Sequence, residues 1–270
     1  MKEAIGLIAG DGSLPLLLAA RIRERGHAVF AAAHRGLTRG EMEFAADRLH
    51  WVSIGQLGGI IDFFKEQGVR RVVFIGGVSK KHFFSQDSQV QLDERALRVL
   101  ARLKDRKDDA ILRAIAGEME NEGIRVISPM VFLKKEMAAR GCWTRRRPTE
   151  REEKDILFGW NLARRIGRMD IGQCLVVKEQ MVLAVEAIEG TDETIRRGGR
   201  LGKGEVTVIK VCKPKQDRRL DLPVIGLTTL QILEEAGASC LVVEAGKTIV
   251  ADREELIRRA DEKDLCLIGI

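Results

Sequence analysis

Basic, amide and acidic side chains crowd into one proline-bounded stretch, KPKQDRRLDLPVIG, Lys213 to Gly226. Between Pro214 and Pro223 lie Lys215, Arg218 and Arg219, the amide of Gln216, and the carboxylates of Asp217 and Asp221. Cations in such a set can surround phosphate oxygens, while a carboxylate among them can hold a metal ion or take a proton. The two prolines deny the backbone helix continuation and ladder donors, and each pushes the residue before it extended. The groups therefore sit on a stiff loop. A solvated connector is the competing reading of the same composition.

A second set follows strand-like residues in EAIEGTDETIRRG, Glu186 to Gly198. Glu186, Glu189, Asp192 and Glu193 fall close together with Gly190 and Thr191 between them. Carboxylates gathered without cysteine or histidine suit a hard, oxygen-seeking ion, Mg2+ or Mn2+. Thr191 capping a helix with an acidic first turn explains the same residues, and both can hold. Two glycine turns complete the candidates. In GDGSLP, Gly10 to Pro15, the amides of Gly10, Gly12 and Ser13 could face a phosphate. In GGVSK, Gly76 to Lys80, glycines including Gly77 allow a close backbone approach and Lys80 could meet the anion. The pair Asp108 and Asp109 is first a helix-capping device and second a ligand for metal or sugar hydroxyls.

These groups need elements to position them. Ala4 to Ala9 reads as a buried strand, and Leu14, Leu18 and Ile22 keep helical spacing up to Gly26. Strand, glycine turn and helix begin a dinucleotide-type unit. Pro15 breaks the glycine fingerprint, and no acidic residue ends the next strand, Ala28 to Ala33. Leu57, Ile60, Ile61 and Phe64 form a helical stripe before the strand Arg71 to Ile75. Ile111, Leu112, Ile115 and Met119 form another before Ile124 to Ile127. From Lys134 to Arg151 the pattern dissolves into charges, including the run Arg145 to Arg147, which reads as a linker or a patch for anionic lipid or nucleic acid. Beyond it come a helix through Trp160 and Ile166, then an antiparallel pair, Cys174 to Val177 and Val182 to Val185, turning at Lys178 to Gln180. Val206 to Val211 is a buried strand leading into the KPKQDRRLDLPVIG loop. Thr228 and Gln231 have capping-box spacing for the helix after it. A strand around Val242, a helix capped by Asp252 and a last strand, Leu265 to Ile268, close the chain. The expected class is α/β: an N-terminal domain (1–133) with a mainly parallel, Rossmann-like sheet, a linker (134–151), and a C-terminal α+β domain (152–270) with a mixed sheet.

Composition narrows the classes. The chain has 270 residues, 45% hydrophobic and 32% charged, enough for ordinary cores in a soluble protein. No apolar run approaches the roughly 20 residues of a spanning helix and no leader pattern precedes a cleavage site, so a cytoplasmic protein is expected. Five scattered cysteines, never paired as CxxC, argue against a zinc or disulfide framework. A net charge of +6 suits an anionic partner. Aromatic content of 4% with no tyrosine is poor material for stacking single-stranded nucleic acid. All four histidines lie in the first third, away from the C-terminal loop, which disfavours a Ser-His-Asp triad there.

GLIAGDGSLP, GGVSK, KDDAILR, MDIGQ, VEAIEGTD and KPKQDRRLDLPVIG stand in one order along essentially the whole chain. In that order and approximate spacing the chain resembles the UDP-2,3-diacylglucosamine pyrophosphatase family of lipid A biosynthesis, the type unrelated to calcineurin-like phosphoesterases. The resemblance implies Mg2+-dependent hydrolysis to UMP and 2,3-diacylglucosamine 1-phosphate, with substrate bound between two domains. It places the catalytic aspartate of the DLPxIG motif at Asp221; Val224 departs from the threonine common there. Asp221, Asp192 and Glu189 become the metal candidates. Gly10, Gly12, Ser13, Gly77, Lys80, Asp109, Gln173, Thr191 and Lys213 become the substrate-binding candidates. The implied partner is a lipid-linked UDP-sugar, met peripherally at the cytoplasmic face of the inner membrane, without nucleic acid; a homodimer is compatible with it. Two other classes stand beside this one. A nucleotide- or NAD-binding regulatory protein is favoured by the first α/β units, and an RNA-binding module by the basic balance and Arg145 to Arg147.

Overall fold

The computed structural model describes residues 3–77, 91–103, 108–214 and 216–270. The chain divides into two compact units: Met1–Lys134 with Asp217–Asp221, and Lys135–Gln216 with Leu222–Ile270.

In the first unit β1 (Ala4–Ala9), β2 (Ala28–His34), β3 (Arg48–Val52), β4 (Arg71–Ile75) and β5 (Arg125–Val126) form a sheet in the order β3-β2-β1-β4-β5. Every pairing is parallel. β1 is buried from Ile5 to Ala9 and β4 from Val72 to Ile75, as near-continuous apolar strands of a parallel sheet should be. The described helices include α1 (Leu14–Glu24), α2 (Met42–Ala45), α3 (Leu57–Glu66), α4 (Glu94–Ala101) and α5 (Asp108–Asn121). α1 buries Leu14, Leu18 and Ile22, and α3 buries Leu57, Ile60, Ile61 and Phe64. Both are the stripes expected from spacing. β3, α2 and α4 were not anticipated. In β3 only Val52 is buried, so the strand lacks the apolar alternation that would announce it.

The second unit holds β6 (Gly141–Cys142), β7 (Cys174–Lys178), β8 (Met181–Val185), β9 (Val206–Lys210), β11 (Ala238–Val243) and β13 (Cys266–Gly269), in the order β6-β13-β11-β9-β7-β8. β9, β11 and β13 run parallel, whereas β6, β7 and β8 pair antiparallel, so the sheet is mixed. β10 (Val224–Ile225) and β12 (Ile249–Val250) make a short parallel pair. The helices are α6 (Glu150–Arg168), α7 (Thr191–Gly202), α8 (Leu227–Glu235) and α9 (Arg253–Glu262). The β7–β8 turn places Glu179 and Gln180 at φ of 51° and 59°. Such residues need outside support, and the buried carboxylate of Asp155 accepts both N–H groups, at 3.2 and 2.5 Å.

Some local expectations shift. α8 begins at Leu227, and Gly226 donates its N–H to Thr229 Oγ1 at 3.4 Å, so Thr228 and Gln231 lie inside the helix. Asp252 precedes α9 in the left-handed region and makes no side-chain cap. Within the arginine run, Arg146 reaches the buried Glu152 at 2.9 Å and Arg145 pairs with Asp261 at 3.2 Å. All five cysteines are free thiols, four of them buried. No described helix is long and apolar enough to cross a membrane.

Candidate active site

β1 and β4 are neighbours in the first sheet, yet β1 runs on through α1 to β2 on one side while β4 leads to β5 on the other. This is the switch point at which parallel sheets open a crevice beyond their carboxyl ends. The loops after the two strands meet there. Gly10 donates to Ile75 O at 2.8 Å and Asp11 to Gly77 O at 2.9 Å. A Cβ on Gly10 would stand 2.7 Å from Gly76 C, and one on Gly76, at φ +92°, 2.6 Å from Asp11 O. These glycines are thus required by backbone meeting backbone. Gly12 has open space around it at φ +92°, and its N–H is taken by Asp11 Oδ1 at 2.7 Å. Ser13 is the N-cap of α1 without a side-chain capping bond. Lys80 lies outside the described residues. Beside the loops, at the carboxyl ends of β2 and β3, Arg35, Thr38, Trp51 and Ser53 line an open depression of about 610 Å³.

The loop that bears Asp221 is divided between the units. Asp217–Asp221 belongs to the first unit, although its neighbours on either side belong to the second. Leu220 N–H and Asp221 N–H both donate to Asp217 O, at 2.9 and 3.2 Å, which winds the segment into one tight turn. Leu220 is buried in the core formed by α3, β4 and α5. Polar anchors surround that plug. Asp109 Oδ1 accepts Asp217 N–H at 3.1 Å, Ser128 Oγ donates to Arg218 O at 3.1 Å, and Arg219 pairs with Glu120 at 2.8 Å. Asp109 itself is braced by Arg113 at 2.8 Å. The Asp217 carboxylate is absorbed by Arg219, which donates to it from its backbone at 3.0 Å and from its guanidinium at 2.8 Å. That guanidinium holds the Asp217 carboxyl below the usual carboxylate range. Asp221, at the end of the turn, has its side chain exposed. The two aspartates of the loop therefore differ in exposure, Asp217 half-buried against Arg219 and Asp221 exposed.

In the second unit Lys213 follows β9 and its Nζ meets Asp170 Oδ1 at 2.8 Å. Asp170 opens the turn into Gln173, which is possible because Gly172 lies against the backbone of Glu186; a Cβ there would be 2.1 Å from Glu186 O. Glu186 is buried and accepts Gln173 N–H at 3.1 Å and Thr191 Oγ1 at 3.1 Å. Gln173 Oε1 is buried and has no hydrogen-bond donor among the described residues. Lys213, Gln173 and Thr191 are thus joined through Asp170 and Glu186 at one end of the second sheet. Glu189 is engaged otherwise. Its own backbone N–H and then Arg197, at 2.6 Å, hold its carboxyl below the ordinary range. Asp192 is exposed in the first turn of α7.

The LpxI N-terminal domain family matches residues 4–135, and the LpxI C-terminal domain family matches residues 139–268. The chain belongs to the LpxI family. A curated relative, the UDP-2,3-diacylglucosamine pyrophosphatase LpxI of Caulobacter vibrioides, is 36% identical over 98% of this chain and 97% of its own. Among solved structures, the biotin carboxylase subunit of pyruvate carboxylase matches at TM-score 0.28 and 12% identity, covering 74% of this chain and 42% of that one. The structure of gox2253 matches at TM-score 0.31 and 11% identity, covering 78% and 60%. Neither likeness carries an argument about this fold or its site.

For an LpxI protein the question of a metal turns on which carboxylates can give oxygen to one. Among the described residues no three His, Cys, Asp or Glu side chains gather as a ligand set. Glu189 is held by Arg197, while Asp192 and Asp221 are exposed. Mg2+ commonly binds through one or two carboxylates completed by substrate phosphates and water, and an exposed aspartate fits that mode. Reading the sequence missed Arg35, Trp51 and Ser53, whose depression depends on the unanticipated β3. It also missed Glu120 and Ser128, which hold the turn, and read Arg219 as a cation for phosphate where it pairs with Asp217; an Asp-x-Arg spacing was the available signal.

Proposed function

We propose that this chain hydrolyses the pyrophosphate bond of UDP-2,3-diacylglucosamine, giving UMP and 2,3-diacylglucosamine 1-phosphate, in lipid A biosynthesis. The observation that carries the reading is the 36% identity over 98% of the chain to a relative bearing that activity in its name. The turn around Asp221 supports it. The reaction calls for a carboxylate that can address water at phosphorus; Asp221 is exposed at the end of the turn, whereas the neighbouring Asp217 is half-buried against Arg219.

In this reading the exposed Asp221 orients the attacking water and takes its proton on a carboxylate oxygen. Water adds at phosphorus, the phosphorus–oxygen bond to the bridging oxygen breaks, and the two phosphate products separate. Mg2+, for which Mn2+ can substitute, would be held by Asp221 with oxygens of the substrate and supplies neutralisation of charge building on the leaving phosphate. The depression near Arg35 and Trp51 offers room for a nucleoside beside the switch-point loops. Because the substrate is anchored by acyl chains, the protein meets it peripherally at the inner membrane.

The test is direct. Purified protein with UDP-2,3-diacylglucosamine and Mg2+ should release UMP, detected by chromatography and mass. Release no greater than from heat-inactivated protein would refute the reading.

A further inference from the structure

α6 presents an outer side on which Leu157, Phe158 and Met169 stand exposed, bordered by Leu162 and Ile166, which pack partly against the core. Its inner face is satisfied: Ile156, Gly159, Ala163 and Gly167 are buried. Outside, Leu157 is 75% exposed and Met169 is 61% exposed, with Ile171 just beyond the helix also exposed. Phe158, Leu162, Ile166 and Met169 recur at helical spacing along one flank. Leu162, Ile166 and Met169, with Arg165 and Arg168, line an apolar depression of about 500 Å³. From Ile156 to Met169 the chain carries Arg164, Arg165 and Arg168 and no acidic residue. Among the described residues no carboxylate pairs with any of the three, although most other arginines here find one.

We propose that this outer side of α6, with Ile171, is the surface by which the chain docks on an anionic phospholipid bilayer. Exposed apolar side chains mixed with unpaired arginines, lying along one helix, are the pattern of an interfacial helix. The apolar groups enter the headgroup boundary and the guanidinium groups meet lipid phosphates. A net charge of +6 adds attraction of the same sign. The inference rests on the proposed substrate for its purpose, since a lipid-borne substrate must be met at a surface, but its test requires no turnover.

The protein is sedimented with vesicles of phosphatidylcholine alone and of phosphatidylcholine enriched in phosphatidylglycerol. Wild type should partition onto the anionic vesicles, less so at high salt. Arg165→Glu/Arg168→Glu should lower partitioning at least about twentyfold, at about fivefold for each arginine lost. Leu157→Glu should lower it without changing the melting temperature. Arg102→Glu, an exposed reversal in the first unit, should lower it less than about twofold. Wild-type protein that stays in the supernatant, or α6 variants that sediment like wild type, would overturn the proposal. So would self-association that light scattering shows to be lost with Leu157→Glu while vesicle binding is absent. Failure to release UMP with vesicle binding intact would refute the hydrolytic reading alone.

Discussion

Asp217 and Asp221 stand four positions apart in one loop and can be told apart by exchanging each for asparagine. Asp221→Asn removes a charge from an exposed side chain, so stability should move by no more than about 0.5 kcal/mol. Turnover should fall at least about a hundredfold, about 2.7 kcal/mol of barrier, the lower end for losing a proton acceptor at the reacting centre. Asp217→Asn has the opposite profile. It weakens the pair with Arg219, whose side chain is 41% exposed against 17% for Asp217, so solvent discounts the ion pair to about 1 kcal/mol. In a unit of this size that is a drop of a few degrees in melting temperature. The turn still keeps its Leu220 plug, the Asp109 bond to the Asp217 amide and the Arg219–Glu120 pair. Turnover should therefore fall by no more than about tenfold. The assay is UMP release over a range of substrate concentrations, beside thermal melts of all three proteins. A nearly active Asp221→Asn enzyme would refute the assignment, as would a dead Asp217→Asn enzyme with unchanged melting.

Asp109→Ala should lower kcat with KM nearly unchanged, because Asp109 holds the turn through the Asp217 amide; a rise in KM alone would make it a substrate contact instead. Chelation by EDTA should abolish UMP release and Mg2+ or Mn2+ should restore it, whereas full activity after exhaustive chelation would remove the metal from the mechanism. Burial lowers the pKa of His34, whose Nδ1 lies 2.9 Å from Ala9 O. Below its ordinary value of 6.5 the unfolded chain therefore binds the extra proton first and stability falls as pH falls, a slope that His34→Gln should flatten in urea titrations. Asp155→Ala should destabilise the second unit by about 1–3 kcal/mol in the same titrations, since two turn N–H groups lose their acceptor.

Helices with a clean apolar stripe were legible, because burial of one side forces that spacing. Leu57, Ile60, Ile61 and Phe64 mark α3 in the letters as plainly as in the structure. The buried strands β1, β4 and β9 were legible for the same reason. β3 was not, since Arg48, Leu49, His50 and Trp51 leave no alternation to read, and the depression at its carboxyl end was lost with it. The glycines of GDGSLP and GGVSK were legible as turns, but not their reason. Gly10 and Gly76 answer to each other across the sheet, and pairing between loops far apart in sequence leaves no local mark.

The candidate site was legible as a set of residue types and not as a pattern of pairings. Composition showed acids among cations between two prolines, and nothing local distinguishes a carboxylate drawn into a half-buried ion pair from one that stays exposed. The distinction is made by groups that arrive from elsewhere. Leu220 enters a core built by α3, β4 and α5, Asp109 comes from the start of α5, and Glu120 from near its end. Once Leu220 is buried, the helical turn places Asp217 where Arg219 can close on it and leaves Asp221 at the exposed end. The same logic separates Glu189 from Asp192. Arg197 lies two turns along α7 from Glu189 and reaches back to take it, so an acidic cluster that reads as a ligand set resolves into one brace and one exposed group. Where acids and arginines are interleaved, which carboxylate is drawn into a half-buried ion pair and which stays exposed is decided by residues distant in sequence. That selection becomes visible only when the pairings can be traced.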